Sequence, residues 1–488
     1  MRVMPILLVL SLAACSGGDA DSASPTGTAD GADGSDGSDG SDGSGGASGD
    51  TYDFVSAASG DASVSYSGQV LRHVLIDDLK GHLGGMTARL DGGTFYPVAG
   101  DVTAELDFYY AFDSAAYGAL DHGVTVGGAA LQTTYDEIST DKDLAGKIAG
   151  NDPVGQHVDW SRGFVGWDAD GVTSPESLVR HWFATIDTQA VAWSGGDIPL
   201  DPSGQPVPAV FVTADGLDLQ QLLEKFLRGS IAYSQGADDY LDDDTEGKGL
   251  LSDHTALADG KPYTELEHQW DEGFGYFGAA RDYGDWTDDE IADVGSDDRD
   301  GDGFVDLTSE VNWGHSQNAA KRDRGAIAAT DYTAQAWTGF FEGRRLLAET
   351  AGRALTADEL ATLQGHRDDA LDAWERAIAA TVMHYINETL QDMGAIGSDD
   401  YDFGAHAKHW SELKGFALSL QFNRRSPLDA GDFALLHDRI GTRPVLPGAP
   451  NAELTDAAAD LRAARDLLGA AYGFDTANLG DDDGANGW

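Results

Sequence analysis

Residues 356–390 read TADELATLQGHRDDALDAWERAIAATVMHYINETL, and they decide the fold class. Thr356 and Glu359 stand at capping-box spacing, where a hydroxyl and a carboxylate satisfy the backbone N–H groups that open a helix. Behind them Leu360, Leu363, Leu371, Trp374, Ile378, Val382, Tyr385 and Leu390 recur at a period near 3.6, so the stretch is a long amphipathic helix. Similar stripes lie on both sides. Val70, Leu71, Val74, Leu75, Leu79 and Leu83 share one helical face, with Ser67 as the expected N-cap. Leu219, Leu222, Leu223, Phe226, Leu227 and Ile231 form another. Residues 405–422 and 455–472 carry two more. Strand-like runs are confined to 63–66 and 209–213, and the Gly/Asp-rich region 235–262 reads as loop. The expectation is a mainly α protein: a helical bundle of two related halves with long loops and minor β structure. The helical domain spans 51–488, with halves of about 51–315 and 316–488.

Ahead of this domain the chain changes character. Arg2 precedes an apolar run at 4–14 (MPILLVLSLAA), shorter than the roughly 20 residues that span a bilayer. The run ends in Leu12-Ala13-Ala14-Cys15, which looks like a bacterial lipobox, so residues 1–15 read as a lipoprotein signal peptide with Cys15 as the lipidated residue. Cys15 is the one cysteine of the chain, so its lipidation would leave the mature fold no free thiol and exclude disulfides, cysteine catalysis and thiolate metal sites. Residues 16–50 are Gly, Ser, Ala, Thr and Asp with a single Pro, and a GSD triplet repeats over 34–42. Without aromatic residues they bury no core, and they read as a disordered, self-repelling tether. Membrane contact is then expected through the lipid alone, in the bacterial cell envelope. Ser16 after the cysteine leans toward the outer membrane or cell surface.

The formal charge is −54, from 84 acidic and 30 basic residues. Nucleic-acid binding needs a cationic footprint, and this field has the opposite sign. A hydrophobic fraction of 41% nevertheless supplies enough apolar material for a folded core.

The sharpest chemical signal lies at 298–310, D-R-D-G-D-G-F-V-D-L-T-S-E. Asp298, Asp300 and Asp302 take positions 1, 3 and 5 of an EF-hand-like loop, with Gly303 where the loop turns sharply. The Phe304 carbonyl takes position 7 and Asp306 position 9. Position 12 holds Ser309, and Glu310 follows one place later as the expected remaining ligand. Carboxylates this close repel one another unless a hard cation lies between them, so Ca2+ is the expected ion, with a structural role.

A second candidate rests on helical spacing. His268 and Glu272 stand at i, i+4, with Asp271 at i+3 from His268, and the segment 406–412 repeats the theme with His409 and Glu412. Facing helices that carry such pairs can converge on one ion, here a transition metal such as Fe or Zn. Trp270-Asp-Glu272-Gly273-Phe274 and Trp410-Ser-Glu412…Gly415-Phe416 also hint at an internal duplication.

Three blocks carry a family likeness: LEHQWDEGFGYFG at 266–278, DGDGFVDLTSEVNWGHSQNAAKRD at 300–323 and HWSELKGFALSLQFN at 409–423. Together they resemble a family of bacterial lipoproteins, domain-of-unknown-function family 4856, over about 52–441. That family is distantly similar to imelysin, whose fold is a pair of helical bundles and whose motif is Gly-x-His-x-x-Glu. Here Leu266 and Asp271 replace the Gly and Glu around His268, while His409 and Glu412 keep the His-x-x-Glu spacing. The resemblance implies a surface lipoprotein without an assigned activity.

Three functions compete. One is a lipid-anchored, imelysin-like module that binds a metal, a glycan or a protein ligand. The second is a metal-dependent hydrolase or peptidase using the His/carboxylate pairs. The third is a structural surface module. The sequence has no His-Glu-x-x-His, no Gly-x-Ser-x-Gly elbow and no glycine-rich phosphate loop, which weighs against an enzyme.

Overall fold

Where a capping side chain precedes a 3.6-residue apolar stripe, the structure has a helix. The computed structural model describes residues 50–488. The expected signal peptide, with Cys15, and the tether up to residue 49 lie outside the described residues. Eleven helices of nine or more residues follow: α1 (Ser67–Asp91), α2 (Asp101–Tyr110), α3 (Pro175–Ser194), α4 (Leu219–Leu227), α5 (Glu265–Phe277), α6 (His315–Arg324), α7 (Tyr332–Thr350), α8 (Ala357–Ala395), α9 (Phe403–Ser419), α10 (Ala430–Ile440) and α11 (Asn451–Tyr472). The protein is mainly α-helical, as expected.

The 39 residues of α8 form its spine. At 1.5 Å per residue the helix is about 58 Å long. Its Thr356 hydroxyl accepts from Glu359 N at 3.2 Å, and Glu359 Oε2 accepts from Thr356 N at 2.8 Å. Every residue from Ala377 to Met383 is buried, because α6, α7, α9 and α11 all pack on this helix. The crossing of α7 and α5 is tight enough that a Cβ at Gly343 would fall inside the Trp270 indole. Smaller residues on α7 and a large one on α5 thus interlock as ridge and groove.

The segments 51–315 and 316–488 do not separate as halves. From the first segment α4 and α5 pack on α9 and α7 of the second, and the described residues share one contiguous core. Three further expectations are corrected. The N-cap position of α1 is Tyr66 rather than Ser67, which is the first helical residue. The strand-like run 209–213 reduces to one isolated bridge, Val212 with Asp218, and 63–66 forms none, since no neighbouring strand extends them among the described residues. Within the region read as loop, Gly236–Tyr240 is a buried π-helical turn, following another at Arg228–Tyr233. Its two aspartates are tolerated inside because each meets a base: Asp238 pairs with His157, and Asp239 with Lys248 at 3.1 Å.

Candidate functional site

The 298–310 loop is pinned on two sides before it enters α6. At its base Ser296 bridges Val311, and Asn312 N donates to Gly295 O at 2.7 Å. At its far side the buried Val305 bridges Ala130, with Leu131 N donating to Val305 O at 2.9 Å. Between these clamps the aspartates turn the backbone around themselves. Asp298 accepts from Gly301 N and Gly303 N, both at 2.9 Å. Asp300 accepts from Asp302 N at 2.9 Å, and Asp302 from Phe304 N at 2.8 Å. Gly303 has φ +96°, the left-handed turn for which the sequence placed a glycine there. One carboxylate oxygen from each of Asp298, Asp300 and Asp302 lies within 4.8 Å of the other two.

The remaining expected ligands behave differently. Glu310 is buried, and its Oε1 accepts from Arg299 N at 2.9 Å and Asp300 N at 3.1 Å, its Oε2 from Asp306 N at 2.8 Å. It is an anchor for the loop backbone. Asp306 Oδ1 accepts from Gln132 Nε2 at 2.8 Å and from the Thr308 hydroxyl at 2.7 Å. Burial would raise its pKa, but these bonds hold the carboxyl below its usual value. Neither carboxylate belongs to the converging group. Of the five carboxylates in the sequence reading, Asp298, Asp300 and Asp302 converge, and Asp306 and Glu310 frame the loop.

The helix pairs do not converge. Among the described residues the Asp298 group is the one cluster of three or more potential ligand side chains, so His268, Asp271, Glu272, His409 and Glu412 do not gather around a common point. His268 Nδ1 lies 3.1 Å from Ser65 O, so that nitrogen carries the proton; the ring stacks on Tyr263, and Nε2 is 3.8 Å from Glu272. Glu272 accepts from Gln69 at 2.8 Å. Asp271 is fully buried and holds Arg344, with Oδ1 2.7 Å from Nε, while Glu267 takes Arg344 Nη1 at 2.9 Å. Burial raises the Asp271 pKa, and Arg344 offsets only part of that rise.

His409 pairs with Asp392 at 2.8 Å. Burial opposes its charge, yet the hydrogen bond and charge of Asp392, then Glu388, raise its pKa above the ordinary imidazole value. Glu412 is fully buried, accepts from Tyr385 OH at 3.0 Å and faces Lys225 at 3.5 Å. Lys225 continues to Glu224 at 3.0 Å, which also binds Lys80 and Arg228. Burial would raise Glu224, but these three cations hold it well below the usual carboxylate range. Asp271 and Glu412 thus belong to separate buried ion networks, completed by Arg344 and Lys225 from other helices.

One buried group was not singled out in the sequence. His315, the first residue of α6, is 1% exposed, and neither ring nitrogen has a partner. Its ring lies among Tyr233, Trp374 and Phe416, and burial, then Arg228, holds its pKa well below the usual value. The available signal was Gly314: a Cβ there would lie 2.6 Å from Arg228 Nη1.

Residues 164–337 match the family described as Domain of unknown function (DUF4856), the family that the sequence blocks resemble. Blocks 266–278 and 300–323 fall inside the match, and 409–423 lies beyond it. No curated protein and no solved structure matches the chain.

Proposed function

We propose that the protein is an exported, lipid-anchored module of the bacterial cell envelope whose 298–310 loop holds a Ca2+ ion, and that its folded domain binds rather than catalyses. The observation that carries the calcium reading is the approach of the Asp298, Asp300 and Asp302 carboxylates on a turn already shaped by their own hydrogen bonds. Such a site needs little reorganisation to take a hard cation, and outside the cell an affinity on the order of 10⁻⁴ to 10⁻³ M is sufficient. Isothermal titration of the folded domain with CaCl2 tests it. One ion per chain is expected, and heats unchanged by Asp300→Asn and Asp302→Asn together would refute it.

The hydrolase alternative has less support. Asp271 is committed to Arg344 and His409 to Asp392, which leaves no three-ligand set with an open position among these residues. The anchor rests on the sequence around Cys15. Metabolic labelling with a palmitate analogue should mark the wild-type chain and leave Cys15→Ser unlabelled; equal labelling would remove the anchor.

A further inference from the structure

Between α8, α9, the end of α10 and the start of α11 lies a cavity of about 450 Å³. That volume is in the range of small-molecule sites. Met393, Trp410, Ile440, Val445 and Leu461 give it apolar walls. His406, fully buried, lines it as well. Its Nδ1 contacts Tyr401 OH at 3.2 Å, and its Nε2 has no partner. Burial lowers its pKa to about 4, so the imidazole is neutral at physiological pH. A buried, unpartnered imidazole nitrogen on a residue that lines a cavity is a point of unmet hydrogen bonding, and a guest can supply the missing group.

The outer side of the cavity has a definite sign. Glu453, Asp456 and Asp460 line it from one face of α11 at i, i+3 and i+7, all three exposed. None of them forms an ion pair among the described residues. Two arginines also line the cavity, but Arg443 is already paired with Asp215 at 2.9 Å, and Arg439 donates to the Ala463 carbonyl. Three unpaired carboxylates therefore face one guanidinium that has no carboxylate partner. The −54 charge of the whole chain enriches cations around this mouth further.

We propose that this cavity binds a small amphipathic amine: an apolar body against Met393, Trp410, Ile440 and Leu461, a hydroxyl or N–H at its inner end donating to His406 Nε2, and an ammonium group at the mouth beside Glu453, Asp456 and Asp460. The ligand's donor fixes the tautomer. Nδ1 carries the proton and donates to the Tyr401 oxygen, and Nε2 presents its lone pair to the guest. This names a ligand class for the binding reading given above. It draws on no atom of the 298–310 loop, so failure of the calcium site leaves it intact.

The test is titration calorimetry of the folded domain with tyramine, in EDTA and again in CaCl2. Three relatives each remove one feature: phenethylamine lacks the inner hydroxyl, 4-ethylphenol lacks the charge, and 3-(4-hydroxyphenyl)propionate reverses it. Tyramine is expected to bind with one site per chain, about tenfold more tightly than phenethylamine or 4-ethylphenol. The propionate should bind most weakly. The double variant Asp456→Asn with Asp460→Asn changes only exposed positions, so its folding is not at risk; it should lower tyramine affinity and leave 4-ethylphenol unchanged. No heat with tyramine at millimolar concentration would overturn the proposal. So would equal tyramine affinity in the double variant, or preference for the propionate, which would assign the mouth to Arg439 and an anion.

Discussion

Calcium should reverse the stability order of the wild-type domain and an Asp300→Asn variant. The substitution keeps the side-chain oxygen that accepts from Asp302 N at 2.9 Å, so the turn survives while one charge is removed. Without the ion, each pair of carboxylates at 4.8 Å repels by about 0.9 kcal/mol in water, roughly halved at physiological salt. The variant should therefore be equal to or slightly more stable than the wild type in EDTA. With the ion the balance shifts. A dissociation constant on the order of 10⁻⁴ M and about 10 mM free Ca2+ stabilise the wild type by about 2.7 kcal/mol. Over roughly 440 residues, at about 2.1 cal/mol/K each, this raises Tm by about 3 °C. Thermal melts by circular dichroism in EDTA, Mg2+ and Ca2+ measure it. Mg2+ should do less, since it dehydrates reluctantly and demands octahedral geometry. The rival cause is general screening of a chain with net charge −54, which predicts the same calcium shift in both proteins. Equal shifts, or no shift in the wild type, would refute the loop as a calcium site.

Other perturbations read the supporting structure. Arg344→Met leaves Asp271 and Glu267 buried without their shared cation, and should destabilise by about 3–5 kcal/mol, seen as a lower urea midpoint at constant slope. Gly343→Ala drives a methyl into Trp270 and should lose about 1–3 kcal/mol in the same assay; a neutral result would mean the α5–α7 contact yields easily. Glu359 has its pKa lowered to about 2, first by Arg353 and then by the Thr356 backbone. Because the folded pKa lies below the unfolded one, its contribution is complete above about pH 4.5 and fades as pH falls toward 2. Glu359→Gln should flatten the acid loss of stability in that window, and parallel acid titrations of the two proteins would contradict this.

The readable parts of this chain were those in which cause and effect lie within a few residues. Thr356 and Glu359 close the cap of α8 with each other. Gly303 adopts the turn its position demanded. The Asp298, Asp300 and Asp302 alternation puts three oxygens on one side of that turn. Spacing alone failed when the partner came from far along the chain. His268 and Glu272 do share a helix face, but Arg344, 73 positions from Asp271, is what the neighbouring carboxylates bind. Lys225 likewise reaches Glu412 from another helix. The stretch holding Asp238 and Asp239 reads as loop because nothing in the sequence shows His157 and Lys248 meeting them inside the bundle. Helical periodicity states which side chains point together. It does not state whether the opposite wall brings a metal, a base or an apolar surface.

The short path from Glu310 to His315 has a mechanical consequence. Only four residues intervene, and all are held: Val311 bridges Ser296. Asn312 Oδ1 accepts from Ala280 N at 2.8 Å, Trp313 N donates to Gly278 O at 2.6 Å, and Gly314 fits against Arg228. With so little slack, the position of the outer turn and that of the ring among Tyr233, Trp374 and Phe416 are set by one short, fixed segment of backbone.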